Sequence, residues 1–198
     1  SIAILEELEK KGDIKRVHHQ IYHLLGDAFA GLENYERAIS NYSKALKTRI
    51  LEEILLTKLA IQHQKNGKYE LAVKFYQRAL KFKPDSAFIH NNLGTALLNL
   101  GFNLKAKASL EKALNFNPKN PQANKNLAIS LDAEGEFDKA VFYFKKAIKY
   151  KETDSEAYYG LAIALLRIKK FKEAILYFKE TMKRDPSHFR AGLALSWT

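Results

Sequence analysis

The chain has 198 residues, of which 46% are hydrophobic and 28% charged, a composition typical of a folded, soluble protein rather than a disordered one. It contains no cysteine, which excludes a disulfide framework and thiolate catalysis, and no apolar run of about 18 residues, which excludes a transmembrane helix. The net charge of +11 is carried mostly by lysine, and it indicates either a solvated basic face or attraction to an anionic partner.

The first predicted element is an amphipathic helix at residues 2–11, within an N-terminal segment of residues 1–12. Ile2, Leu5 and Leu8 form a narrow apolar stripe, and the glycine and aspartate at positions 12–13 end the helix. Because so short a helix is marginal in water, its stripe needs an apolar surface. We expect this helix to be either a degenerate repeat that lies on the first hairpin of its own chain, or an arm that docks into the groove of another copy and so builds a homo-oligomer.

Residues 13–188 carry a pattern that recurs every 34 residues, in the units 19–52, 53–86, 87–120, 121–154 and 155–188. In the third unit, two apolar-periodic stretches are separated by Gly101, and Pro118 ends the second. Each unit is therefore predicted to be a helical hairpin that packs against the next. Small residues recur where two helices must approach closely, in the first helix at Gly26, Ala60, Gly94, Ala128 and Ala162 and in the second helix at Ala38, Ala72, Ala106, Ala140 and Ala174. Large residues recur where the space between the helices must be filled, at Tyr42, Tyr76, Leu110, Phe144 and Phe178.

Glycine is predicted at or near the turn inside each hairpin, where the chain must reverse. The last unit has Lys169 and Lys170 instead of a glycine. Residues 189–198, which include Leu193, Leu195 and Trp197, begin a sixth first helix and are predicted to cap the last hairpin. The turn glycines are Gly31, Gly67, Gly101 and Gly135.

These spacings follow the W-x2-L-G-x2-Y…A-x3-F…P pattern, and the chain resembles the tetratricopeptide repeat (TPR) family over nearly its whole length. The resemblance implies an all-α fold, a right-handed superhelix (α-α solenoid) of five helical hairpins with flanking terminal helices. It also implies a non-enzymatic protein–protein interaction scaffold.

In this family the first helix of each hairpin lines a concave groove, and the resemblance implies the same arrangement here. Amide side chains in such a groove can pair with a peptide backbone, and Ile and Tyr supply apolar pockets for a peptide or a helix. The carboxylate clamp of chaperone-binding members is disfavoured, because no three consecutive units carry its full lysine, asparagine and arginine set. The implied groove residues are Lys58, Ile61, Asn91, Asn92, Thr95, Lys125, Asn126, Ile129, Tyr159, Ile163 and Arg167.

His19, His23 and Asp27 are spaced four residues apart and would share one helix face, as a metal-chelating pair with a carboxylate would. The fourth ligand and the glutamate of an H-E-x-x-H motif are missing, which favours a polar surface over a metal site. His63 and His90 are expected in the core. The sequence shows no Ser/His/Asp set, phosphate loop or catalytic carboxylate pair, so neither a cofactor nor an enzymatic activity is expected.

A narrower likeness, to a bacterial magnetosome-associated branch of the family, is carried by the basic segment at residues 13–17, the stretch 137–140 and the short helix at 193–195. It implies a self-associating cytoplasmic scaffold that lies peripherally on the magnetosome membrane, an intracellular membrane, and recruits other proteins. The alternatives are a generic adaptor or co-chaperone of another complex, and a module that binds an anionic partner through its basic surface. A nucleic-acid partner is disfavoured, because no arginine-rich run and no aromatic–basic interleaving occur.

Overall fold

The computed structural model describes residues 2–10, 15–151 and 153–196, and within these ranges the chain is helical with short connections. The all-α fold predicted from the repeat, an α-α solenoid architecture of helical hairpins, is confirmed. Residues 1–100 and 101–198 form two compact units. The described helices are α1 (Ile2–Lys10), α2 (Lys15–Gly31), α3 (Tyr35–Leu46), α4 (Glu52–Lys65), α5 (Tyr69–Phe82), α6 (Ala87–Asn99), α7 (Asn103–Phe116), α8 (Pro121–Ala133), α9 (Phe137–Tyr150), α10 (Ser155–Arg167), α11 (Phe171–Arg184) and α12 (Phe189–Ser196).

In residues 1–100, α2 pairs with α3 and α4 pairs with α5, and the two hairpins meet where α3 packs on α4. The α6 helix packs on both α4 and α5. Leu25, Tyr42 and Leu59 are buried among these helices, as the repeat predicts. A Cβ atom on Gly26 would lie 2.4 Å from two ring carbons of Tyr42, so α2 and α3 approach closely only because residue 26 has no side chain.

In residues 101–198, α8 pairs with α9 and α10 pairs with α11, while α7 packs on α8 and α12 packs on α11. The predicted space-filling residues Leu110, Phe144 and Phe178 are all buried here. The two first helices α8 and α10 also contact each other directly, and α9 packs on α10. Direct contact between α8 and α10 places side chains of successive units on one surface, which positions the candidate site.

The turn inside a hairpin needs one residue with positive φ. Gly67, Gly101 and Gly135 supply it, with φ values of 70°, 75° and 79°. Glu33 and Lys169 take the same left-handed conformation in the first and last hairpins, at φ values of 55° and 60°. The predicted turn glycine Gly31 is instead the last residue of α2, because the reversal falls two residues later. A side chain in this conformation is strained, so these two turns are less favourable than the glycine turns.

Side-chain caps and buried polar groups fix the connections between hairpins. Asn120 accepts a hydrogen bond from the Ala123 amide at 3.0 Å and caps α8, which begins at Pro121. The fully buried Asn124 then donates from Nδ2 to the carbonyl oxygens of Pro118 and Asn120, at 3.1 and 2.8 Å. The equivalent residue in the preceding unit, His90, places Nε2 at 2.8 Å from the carbonyl oxygen of Pro84. His90 and His63 are both buried, as predicted.

The terminal helices lie on the ends of the hairpins. Ile2 and Leu5 of α1 pack, partly buried, against the core of the first hairpin. The side chain of Leu8, the predicted helix end at positions 12–13 and Trp197 lie outside the described residues. His188 Nδ1 accepts a hydrogen bond from the Ala191 amide at 3.2 Å and so caps α12. None of the described helices is long and apolar enough to cross a membrane.

Candidate functional site

A cleft of about 390 Å³ opens on the surface where α8 and α10 meet, and we call it the α8–α10 cleft. Helices α8 and α10 supply most of its walls, α9 contributes one aromatic ring and α12 contributes an arginine. The lining residues are Gln122, Lys125, Asn126, Ile129, Asp132, Phe144, Glu156, Tyr159, Gly160, Ile163 and Arg190.

The apolar part of the cleft is open to solvent. Ile129 is 43% exposed although it lies in a concave surface, and Tyr159 and Ile163 line the cleft half-buried. Gly160 leaves room for the ring of Phe144, since a Cβ atom on it would lie 2.4 Å from two ring carbons. Exposed apolar side chains in a concavity are characteristic of a binding surface.

The polar part of the cleft is held by ion pairs and hydrogen bonds. Lys125 Nζ donates to Asp154 Oδ2 at 2.8 Å, and Asp154 is also the N-cap of α10, so the pair fixes α8 against the start of α10. His188 Nε2 lies 3.3 Å from Glu156 Oε1. The centroid of the His188 ring lies 4.7 Å from the centroid of the Tyr159 ring. These contacts hold the aromatic wall in place before any partner arrives.

Asp132 is a polar residue of the cleft with a buried, unpaired oxygen. Its Oδ1 atom is buried and has no hydrogen-bond partner. Burial raises the pKa of this carboxyl above its ordinary range, and the nearby positive charge of Arg167 counters the shift in part. A desolvated carboxylate without a donor costs free energy, and a ligand that brought a donor would recover it.

The cleft contains five of the predicted groove residues, namely Lys125, Asn126, Ile129, Tyr159 and Ile163. Arg167 lies outside the lining, with its guanidinium 5.9 Å from the ring centroid of Phe137.

Sequence reasoning missed several lining residues. Gln122, Glu156 and Arg190 occupy the second position of their repeats, and this recurrence at intervals of 34 residues was the signal that could have found them. Gly160 occupies the repeat position that Asn126 has one unit earlier. The absence of a side chain at a groove position was a signal that the groove is wider there.

The remaining predicted groove residues lie in residues 1–100, on α4 and α6, which contact each other. Lys58 and Ile61 belong to α4, and Asn91, Asn92 and Thr95 belong to α6. Asn91 is buried and donates from Nδ2 to Asn92 Oδ1 at 3.5 Å, while Thr95 Oγ1 donates to the Asn91 carbonyl oxygen at 3.0 Å. Asn91, Asn92 and Thr95 thus form hydrogen bonds with one another within α6.

A polar network joins α2, α3 and α4. Lys58 Nζ donates to Asp27 Oδ1 at 2.5 Å and to His23 Nε2 at 2.8 Å, and the Tyr42 hydroxyl donates to Asp27 Oδ1 at 2.6 Å. Burial, and then the charge of Lys58, lower the pKa of His23. Burial opposes ionisation of Asp27, but hydrogen bonds from Lys58 and Tyr42 outweigh it and lower its pKa. Burial and Asp27 raise the pKa of Tyr42.

His19, His23 and Asp27, for which the sequence favoured a polar surface over a metal site, are divided by this network. The Lys58 ammonium donates a hydrogen bond to His23 Nε2, so this nitrogen is not available to a metal ion. His19 is buried, and its Nδ1 lies 3.1 Å from the hydroxyl of Thr48. Among the residues that the structure describes, no three potential ligands converge on a point that could hold a metal ion.

Comparisons with known proteins agree with the repeat. Family models described as TPR repeat or tetratricopeptide repeat match residues 19–49, 64–101, 91–149 and 131–197. A search of curated proteins finds no match.

Three solved structures illustrate the likeness in fold. A crystal structure of MamA protein is 25% identical, with a TM-score of 0.76, and the alignment covers 87% of this chain and 94% of that one. MamA 41-end from Desulfovibrio magneticus RS-1 is 19% identical, with a TM-score of 0.79 and coverage of 86% and 97%. YrrB, described as a TPR protein with an unusual peptide-binding site, is 18% identical, with a TM-score of 0.76 and coverage of 98% of both chains.

Proposed function

The chain belongs to the tetratricopeptide repeat family, and from that premise we propose that it is a non-catalytic scaffold that binds a peptide or helical segment of another protein in the α8–α10 cleft. The observation that carries this proposal is the exposed Ile129 beside Tyr159 and Ile163, in a cleft whose rim offers amide and charged groups. Apolar anchors surrounded by hydrogen-bonding groups suit a segment of polypeptide, which presents both kinds of surface.

The proposal is tested by panning the intact protein against a phage-displayed library of random dodecapeptides, followed by titration of captured peptides. Ile129→Lys should weaken their binding by at least about tenfold, because it places a charge on the apolar wall. Leu176→Lys is the matched control, since Leu176 is a 57% exposed aliphatic residue on α11, outside the cleft. Capture of no peptide, or equal loss of binding in both variants, would contradict the proposal.

We propose, second, that α1 mediates self-association. Ile2 and Leu5 are only partly buried on their own chain, so α1 could exchange that contact for the α8–α10 cleft of another copy. Such a contact is heterologous and would propagate rather than stop at a dimer. Deletion of residues 1–12, or Leu5→Lys, should then convert oligomers to monomers in sedimentation experiments, whereas Ile4→Lys on the exposed side of α1 should not. Identical sedimentation of all four proteins would leave α1 as a cap.

We propose, third, peripheral attachment to an anionic membrane, such as the magnetosome surface implied by the narrower likeness. Phe142 on α9 and Leu176 on α11 are 53% and 57% exposed, and Lys146 Nζ lies 4.5 Å from the Phe142 ring centroid. Exposed apolar residues beside lysines suit an acidic lipid surface. Co-sedimentation with phosphatidylserine vesicles, but not with phosphatidylcholine vesicles, and its loss in Phe142→Ala would support attachment. Absence of binding to either vesicle would refute it.

A further inference from the structure

We propose that the α8–α10 cleft selects a segment that carries one lysine or arginine, whose cationic head binds the Asp132 carboxylate while its stem lies against Ile129. This inference rests on the proposed function and specifies its partner. The net charge of +11 would attract anionic partners to the molecule as a whole. The proposed contact with a cationic side chain is local to Asp132 and does not depend on that net charge.

The argument begins with the buried oxygen of Asp132. Its Oδ1 atom is shielded from solvent and accepts no hydrogen bond, although the residue lines an open cleft. A carboxylate oxygen in this condition has lost its hydration without gaining a donor, and that loss is unfavourable. Burial accordingly raises the pKa of this carboxyl. The structure therefore contains a buried acceptor without a donor, in a residue that lines the cleft.

The chemistry of the acceptor indicates which group fits. An ionised carboxylate only accepts hydrogen bonds, so the partner must donate, and charge-assisted donors form the stronger bonds. Lysine and arginine combine such a donor with an aliphatic stem, which can cover the exposed Ile129. The ring of Tyr159 also lines the cleft and offers a face that attracts a cation.

The neighbouring charges leave this acceptor available. Lys125 is already paired with Asp154 at 2.8 Å and is not directed to Asp132 by any hydrogen bond. Glu156 lies 3.3 Å from His188 and forms a separate acidic position in the cleft. Arg167 is close enough to lower the pKa of Asp132, yet it makes no hydrogen bond to the buried oxygen. Arg167 is thus an internal cation that competes with the incoming one.

The experiment uses the peptides captured by the full chain. We expect lysine or arginine at one recurrent position among peptides that Ile129→Lys fails to bind.

The contact itself is tested by changing each partner. Asp132→Asn, which keeps the shape of the side chain, should weaken the binding of such a peptide by about tenfold or more, and norleucine at the recurrent position of the peptide should have the same effect. The two changes together should weaken binding little more than either alone. Asp138→Asn, the same change at an exposed position of α9 outside the lining, is the matched control and should change the affinity less than about twofold. Arg167→Gln should strengthen binding, because it removes the competing cation.

The outcomes separate this inference from the proposed function. Peptides that need Ile129 but show no cationic position, or that bind Asp132→Asn as tightly as the wild type, would overturn the cationic contact and leave the scaffold function standing. Failure to capture any peptide would overturn both. A circular dichroism spectrum of Asp132→Asn equal to that of the wild type ensures that a loss of affinity reflects the contact and not unfolding.

Discussion

Replacement of Gly26 by alanine tests the close approach of α2 and α3. The new Cβ atom would lie 2.4 Å from two ring carbons of Tyr42, where real contacts are essentially never below 3.0 Å. The ring cannot simply turn away, because its hydroxyl donates to Asp27 at 2.6 Å and its side chain is buried. The helices must therefore separate, or the hydrogen bond must break.

The expected magnitude follows from two opposing effects. Overpacking of a buried site costs about 1–3 kcal/mol, and weakening of a hydrogen bond to a charged group adds to that cost. Alanine gains about 1 kcal/mol over glycine in a helix, which offsets part of the loss. We expect a net destabilisation of about 1–2 kcal/mol. For a chain of this length that lowers the melting temperature by roughly 2–8 °C.

Gly31 provides the control within the same helix. No atom lies within 4 Å of a Cβ placed on Gly31, so Gly31→Ala should stabilise the protein by up to about 1 kcal/mol through helix propensity alone. In a Tyr42→Leu background, Gly26→Ala should lose most of its cost, since the ring is absent. Thermal melting followed by circular dichroism measures all of these proteins. A Gly26→Ala variant as stable as Gly31→Ala would refute the assigned helix packing.

Three further predictions concern the turns, the buried polar groups and the effect of pH. Lys169→Gly should raise the free energy of unfolding by up to about 1 kcal/mol, because residue 169 has φ of 60°, whereas Lys170→Gly next to it should not stabilise. Asn124→Ala should cost about 1–3 kcal/mol in urea denaturation, since it leaves the carbonyl oxygen of Pro118 without its donor, and no loss would contradict that role. The pKa of His23 is lowered from 6.5, so the folded protein binds fewer protons than the unfolded chain, and stability should fall as the pH decreases from 6.5 towards the folded pKa. His23→Gln should flatten this slope in urea titrations between pH 7 and 5, and an unchanged slope would show that His23 does not cause it.

The 34-residue period was sufficient to predict the packing between helices. Tyr42 and Phe144 are buried where the register places them, because a repeat imposes the same interhelical space in each unit. The conformations of Glu33 and Lys169 were not predicted, since their intrinsic preference is against positive φ and the flanking helices impose it.

The candidate site was predictable only in part. Ile129 and Tyr159 could be placed in the cleft because the groove positions recur in each unit. The unpaired oxygen of Asp132 could not be inferred, because its burial depends on how α8 and α10 pack. The contact of Lys58 with Asp27 joins residues 31 apart, and its formation depends on the rotamers of both side chains.

The most direct test of the central claim is a methyl NMR titration of isoleucine-labelled protein with a captured peptide. If the α8–α10 cleft binds the partner, the methyl resonances of Ile129 and Ile163 should shift to saturation, since both residues line it. The resonances of Ile148 on α9 and Ile175 on α11, which lie outside the lining, should remain in place. Shifts at Ile148 and Ile175 with none at Ile129 and Ile163 would show that the partner binds elsewhere and would contradict the account.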